Sequence, residues 1–342
     1  MGNCDFLERT DIVASTDFHL IKRESSDVIE QAEALPFWSQ DYTQLGKGVF
    51  SGSIKSIHHS GIQIFSEKMN RAVDQIASAP KDCLVVGLPT IVEGDSTWGL
   101  LPVKPLSLIT LGKNTELYFR TSANSEIMAA VIPISRMQAF AKKIEWSGFE
   151  DMIGSIKPVE MLHNEASSRL LRTLAYGLHS LYGDSNNALL NERWENYEED
   201  LLASSMHALM LASKNAHPFY FDHKIPRYIV NRVRHLTLSR DGFPLSIDEI
   251  CDHLRIRRRT LNSAFARALG ITPLTYMRNL KLHRVRMDLI TYPSDKASIC
   301  EVASRWGFVH MSLFSKYYKE LFGEYPTDTL QRVRTRGYST FP

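Results

Sequence analysis

The sequence predicts an α+β chain, with a small β-rich domain ending in helices ahead of an all-α domain, and three observations carry that prediction. Between residues 45 and 133, short segments alternate apolar and polar residues and are punctuated by Gly, Pro, Asn and Asp, the texture of strands and turns. After Pro133, apolar residues recur every three or four positions, the helical period. The C-terminal third carries one pattern twice, SIDEICDHLRIRRRTLNSAFARALG at 246–270 and SICEVASRWGFVHMSLFSKYYKELFG at 298–323. A length of 342 residues fits about two domains, each able to bury its own core.

Residues 1–30 are polar and weakly periodic, so a loosely ordered lead-in is expected there. They lack the charged-then-apolar layout of a signal peptide, and the Met-Gly start is followed by Phe6 where a myristoylation signal wants Ser or Thr. With no run of eighteen apolar residues, the expectation is a chain that stays in the cytoplasm and makes no membrane contact. Cys4, Cys83, Cys251 and Cys300 lie far apart without CxxC spacing, which fits small buried apolar residues rather than a metal or disulfide framework.

GVFSGSIKSI, GIQIFSEKM, CLVVGLPTI and SLITLG are the expected strands, and their length and spacing predict a small barrel or sandwich. ISRMQAFAKKIEW, SSRLLRTLAYGLHSLY and ALLNERWENYEEDLLASSMHALMLASK are the helices that close this domain. Leu190, Trp194, Tyr197, Leu201 and Leu209 form one stripe on the last of them, a face for its own domain or for a partner subunit, and it leans toward a homodimer. Residues 31–215 are therefore read as one β-rich domain ending in helices. Residues 216–226, with two prolines in NAHPFYFDHKIP, are read as a linker, 227–330 as the helical domain and 331–342 as a basic tail.

The net charge of +2 hides an asymmetry. Residues 221–342 hold 21 Lys+Arg against 11 Asp+Glu, which leaves 40 − 21 = 19 against 38 − 11 = 27 for residues 1–220. A basic module joined to an acidic one is a common arrangement where the basic part meets a polyphosphate.

Each copy of the repeat reads as a short amphipathic helix, a tight turn and a longer helix, the layout of a helix-turn-helix. In the second copy Ser298 and Glu301 are placed for a capping box, Gly307 suits a left-handed corner, and Phe308 would wedge between the helices as Ile256 would in the first. Between the copies TPLTYMRNLKLHRVRMDLI predicts a linker helix, with Leu274, Met277, Leu280, Leu282, Val285 and Leu289 at helical spacing and Arg278, Lys281, Arg284 and Arg286 crowding the rest. Some 17 helical residues span about 25 Å. That rod can hold two second helices apart for successive major grooves, which lie about 34 Å apart on one side of B-DNA.

RRRTLNSAFARALGITPLTYM, KLHRVRMDLI, ICEVASRWGF and FSKYYKELFGEYP resemble the DNA-binding domain of the AraC/XylS family of bacterial transcription regulators. FWSQDYTQL followed by GKGVFSG, with RRTLNSAF, resembles the branch that regulates ethanolamine-utilisation operons. The resemblance implies a sequence-specific DNA-binding regulator, an activator, with a cupin-like N-terminal domain that responds to a small molecule. The partners it implies are double-stranded DNA, RNA polymerase, a small-molecule effector and a second copy of the chain.

In the first copy, Leu261, Phe265 and Leu269 are expected inside, which leaves Arg258, Arg259, Asn262, Ser263 and Arg267 exposed. Arg259 and Asn262 are the base readers, because Arg forks onto guanine and Asn onto adenine, and both match family contact positions. Arg258 and Ser263 hold phosphate, and Arg257, where the family has Ser, trades capping for phosphate reach. In the second copy, Leu313, Phe314 and Tyr317 or Tyr318 are expected inside, with His310, Met311, Ser312, Ser315 and Lys316 facing DNA and Met311 placed to feel thymine methyls. The family's closing Pro-x-x-Tyr-Arg reads Pro326-Thr327-Asp328-Thr329-Leu330 here, and Arg332, Arg334 and Arg336 are the nearest compensation.

No Gly-x-Ser-x-Gly, P-loop or dinucleotide motif occurs, and LGKGVF lacks the Lys-Ser/Thr ending that phosphate cradling needs, so no enzyme and no cofactor are expected. His58 and His59 are adjacent and would point to opposite faces of a strand, which disfavours a metal site. Two alternatives stay open: a regulator without a ligand, controlled by its level or a protein partner, and an architectural DNA protein that bends without selecting sequence.

Overall fold

A computed structural model describes residues 18–160, 164–181, 187–213, 224–239, 245–291 and 298–336. The chain divides into two units, one of residues 1–42 and 51–218, the other of residues 43–50 and 219–342.

The first unit opens with β1 (His19–Ser25), α1 (Val28–Ala32), β2 (Ser39–Gln44, whose last two residues, Thr43 and Gln44, fall in the second unit), β3 (Gly52–His59), β4 (Ile62–Met69), β5 (Val73–Ser78) and β6 (Cys83–Glu93). It continues with β7 (Thr97–Trp98), β8 (Leu101–Pro102), β9 (Leu108–Leu111), β10 (Glu116–Arg120) and β11 (Asn124–Pro133). Then come α2 (Ile134–Lys143), α3 (Phe149–Ser155), β12 (Val159–Glu160), α4 (Asn164–Ser180) and α5 (Asn187–Ser213). One sheet runs β1-β3-β4-β11-β6-β9-β12 and the other β2-β5-β10-β7-β8. The β3–β4 hairpin turns through Ser60 and Gly61, both at positive φ, as a two-residue turn matched to strand twist requires.

Alternation along the strands builds two cores from one sheet. Ile54, Phe65, Val85 and Ala129 point to the five-stranded sheet and meet Ala77, Trp98, Leu117 and Phe119. Ile57, Ile64, Val86 and Ala130 point the other way and pack under α2 to α5. The result is three layers, sheet on sheet on helices, closed by the α4–α5 hairpin.

Several expectations need correction in this unit. Residues 18–30 of the lead-in form β1 and the start of α1, with Asp27 capping α1 and Val28 buried; residues 1–17 lie outside the described part. The Trp194 stripe is an intradomain face: Trp194 is 1% exposed, and Leu190, Tyr197, Leu201 and Leu209 are buried beside it against the unit's own sheet. It lends no support to a homodimer. His58 and His59 do take opposite faces, His58 beside Phe37 and His59 stacked on Phe18 at 4.0 Å. Among the described residues no cluster of three metal-ligating side chains occurs.

The second unit contains α6 (Lys224–Leu238), α7 (Ile247–Leu254), α8 (Arg258–Leu269), α9 (Pro273–Thr291), α10 (Ile299–Arg305), α11 (Met311–Phe322) and α12 (Pro326–Arg336). The expected linker lies outside the described residues except at its end, where Lys224, Ile225 and Pro226 already belong to α6, Pro226 in the first turn where its missing N–H costs nothing. Residues 331–336, expected as tail, continue α12. The segment 43–50, expected inside a continuous N-terminal domain, belongs to this unit instead.

Candidate DNA interface

The two repeats fold as the pattern required. Ser246 accepts from the Glu249 amide while Glu249 accepts from the Ser246 amide, and Ser298 and Glu301 repeat this capping box at the start of α10. The corners differ. Gly307 sits at φ 81, whereas its counterpart Arg255 holds a left-handed φ of 52 with a side chain attached, a conformation that favours glycine. The wedge residue Phe308 packs on Phe314 with ring centroids 5.0 Å apart.

Both helix-turn-helix units hang on α9, whose 19 residues make a rod of about 28 Å. Phe265 of α8 meets Tyr276 in its first turn at 5.4 Å. Leu282, Val285 and Leu289 of its second half share a core with Val302, Phe314, Tyr318, Leu321 and Phe322. One reading helix is thus fixed to each half of the rod.

On α8, Leu261, Phe265 and Leu269 are buried and Arg258, Arg259, Asn262, Ser263 and Arg267 are exposed, as the spacing predicted, and Arg257 just before the helix is exposed as well. Arg257 is the N-cap residue and supplies no side-chain cap. His310 takes the same place before α11, also without a cap bond. The N-cap side chains of α7 and α10 each satisfy a first-turn amide, whereas α8 and α11 have no side-chain cap bond among the described residues. None of Arg257, Arg258 and Arg259 forms an ion pair with a described residue, so three guanidinium groups stand ready at one helix start.

The face of α11 departs from expectation. Leu313, expected inside, is 42% exposed, and Met311, expected on the DNA side, is half-buried against the α9–α11 core. A twelve-residue helix with Leu313 and Phe314 adjacent gives the period two nearly equal phases, and Phe314 with Tyr318 takes the inner one. The apolar groups presented outward are Val309, 81% exposed, and Leu313. Ser312 and Lys316 are exposed and Ser315 is half-buried, and together with Lys319, Glu320 and Tyr325 they line a shallow groove. Lys319 lies 4.2 Å over the Tyr325 ring. Tyr325 carries no signal in the helical spacing because it lies beyond the helix, past Gly323.

The linker-helix arginines also divide. Arg286, expected on the polar outside, is 3% exposed, pairs with Glu324 at 2.8 Å and donates to Tyr318 and Thr329 at 3.1 Å each. Arg278 lies 4.0 Å over the Tyr317 ring. Arg332, expected to compensate for the altered closing motif, pairs with Glu324 at 2.9 Å. These cations hold α9, α11 and α12 together.

A helix-turn-helix domain model matches residues 250–332. The XylDLEGF operon transcriptional activator 2 of Pseudomonas putida is 37% identical over 86 residues, 25% of this chain and 55% of that protein. The HTH-type transcriptional regulator GbdR of Pseudomonas aeruginosa strain UCBPP-PA14 is 39% identical over 88 residues, 26% of this chain and 23% of its own length. The probable thc operon regulatory protein of Rhodococcus erythropolis is 30% identical over 93 residues, 27% of this chain and 28% of that protein. The matched region thus covers between about a quarter and just over half of these relatives. A solved transcriptional regulator with an AraC-type DNA-binding domain, from Chromobacterium violaceum, is 26% identical and covers 32% of this chain and 96% of its own, with a TM-score of 0.30.

Proposed function

We propose that this protein is a sequence-specific regulator of transcription, an activator, that places α8 and α11 in successive major grooves of one duplex. The observation that carries the reading is the mounting of two helix-turn-helix units on the two halves of one rigid helix, with the exposed arginines of α8 on one reading face. In this reading Arg259 and Asn262 contact bases. Arg257, Arg258, Ser263, Arg267, His310, Ser312, Ser315 and Lys316 hold phosphate, and Val309 and Leu313 meet thymine methyls. The work is binding rather than catalysis.

The first unit is the regulatory part, and its polar interior supports a small-molecule effector: His58 is fully buried and neither ring nitrogen has a hydrogen-bond partner among the described residues. RNA polymerase is the further partner an activator requires, and the cytoplasm is where this DNA would be met. No described helix is long and apolar enough to cross a membrane.

Selection of binding sites from a randomised duplex pool by the full chain, followed by footprinting at rising salt, tests the reading. A regulator keeps one protected site where non-specific contacts have already dissociated. Protection that fades uniformly along the probe would instead assign an architectural role.

A further inference from the structure

The second reading helix is finished by residues from the far end of the sequence. Residues 43–50, TQLGKGVF, belong to the second unit and hydrogen-bond to three of its helices. An α-helix leaves its last four carbonyls without partners inside the helix. In α8 the chain closes its own end, with the Gly270 amide 3.1 Å from the carbonyls of both Phe265 and Ala266. In α11 Gly323 reaches only the Lys319 carbonyl, at 2.8 Å. Glu320 and Leu321 receive the Gly48 amide, at 3.1 and 3.0 Å, and Leu321 also receives the Gln44 side-chain amide at 2.7 Å.

Gln44 is the hub of this arrangement. Its side-chain amide also reaches the carbonyls of Gly46 at 2.7 Å and Gly48 at 2.8 Å, which fixes the shape of the segment itself. Its backbone amide donates to Nε2 of His283 at 2.8 Å, and its carbonyl accepts from Asn279 at 3.3 Å, both on α9. Thr43 accepts from Arg234 of α6 at 3.1 Å, and Lys47 pairs with Glu320 at 2.8 Å. Gly323 stands at φ 77, and a Cβ there would run into Val49.

We propose that residues 43–50 are a working part of the DNA reader and that Gln44 is a positioning residue for α11, tying its C-terminal end to α9. The inference rests on the DNA-reading assignment made above. Apolar contacts between α9 and α11 are non-directional and tolerate small rotations, whereas hydrogen bonds to the helix end fix an angle. The lever is long: α11 has 12 residues, about 18 Å, so a tilt of about 10° at its end carries its first turn about 3 Å. That displacement breaks any base-edge hydrogen bond. The α8 helix closes its own C-terminal end without a hydrogen bond from the segment among the described residues.

The test uses the full chain and the duplex it selects from a randomised pool, with affinities measured on single-base-pair variants across both half-sites. Arg259→Ala marks the half-site read by α8. Gln44→Ala is expected to cut discrimination about tenfold in the other half-site, leaving preference at the Arg259 half-site within about twofold. Asn279→Ala, which removes a single 3.3 Å bond, is expected to shift the same half-site in the same direction by less, and it carries the test if Gln44→Ala does not fold. Equal losses in both half-sites, or none in either, overturn the inference. A wild-type chain that selects no sequence overturns the DNA-reading assignment itself, and is distinguishable because it precedes any variant.

Discussion

Glu67 lies on β4, 2% exposed, where it accepts from Gln31 at 3.0 Å and from the Tyr42 hydroxyl at 3.1 Å. Burial pushes its carboxyl up to about 7 from an ordinary 4.5, and the hydrogen bonds from Gln31, Tyr42 and Gln75 offset only part of that rise. The sign follows from proton counting. Between pH 4.5 and about 7 the unfolded chain has released this proton while the folded chain keeps it, so unfolding releases a proton and rising pH favours it. The stabilisation is complete below about 4.5 and is lost as pH climbs through about 7. At 1.36 kcal/mol per pH unit the gap is worth roughly 3 kcal/mol, of which about 2–3 kcal/mol falls between pH 5 and pH 8. Glu67→Gln removes the titration and keeps the shape and the acceptor oxygen. Its stability relative to wild type should therefore rise by about 2–3 kcal/mol between those two pH values. Urea unfolding followed by tryptophan fluorescence reads this unit, because Trp38, Trp98, Trp146 and Trp194 belong to it and only Trp306 does not. A difference between variant and wild type that is the same at pH 5 and pH 8 would refute the reasoning.

The other predictions concern the reader and the packing around it. Arg259→Ala should cost about 1–3 kcal/mol at the selected site and relax preference at one base pair, while Lys316→Ala should weaken all duplexes alike and flatten the salt dependence, both readable by competition binding. Arg255→Gly relieves the left-handed corner of the first repeat and should raise the stability of the second unit by about 0.5–1 kcal/mol in a denaturant titration. Gly177→Ala places a Cβ against the Tyr197 ring and Ile64 where α4 crosses α5 and the sheet, and should lower the first unit's stability by about 1–3 kcal/mol.

What could be read in advance follows from the range of the interactions. The capping box at Ser298 and the corner glycine Gly307 were legible because each is a contact between residues three or fewer apart. The inner face of α8 was legible because Leu261, Phe265 and Leu269 admit a single phase. For Leu313 the local pattern was degenerate, and the choice was made by α9. Arg286 looked like surface charge because its partners Tyr318, Glu324 and Thr329 arrive from more than thirty residues downstream. Residues 43–50 carried no signal of their destination, since Gln44 meets His283 and Leu321 at separations of 239 and 277 residues. The Trp194 stripe was correctly read as a packing face, but periodicity gives no information on whether the surface opposite belongs to the same subunit.

An eight-residue stretch near the front of the sequence that completes a module near the back also constrains inheritance. A gene fusion joined at the bridge between the halves would carry a DNA-binding module away from the stretch that had adapted to it, and would pair it with a stranger's. Gln44, Val49, His283 and Gly323 must change together or stay together. Chimaeras cut at that bridge should recover their grip on DNA when the recipient's residues 43–50 are replaced along with the module they brace.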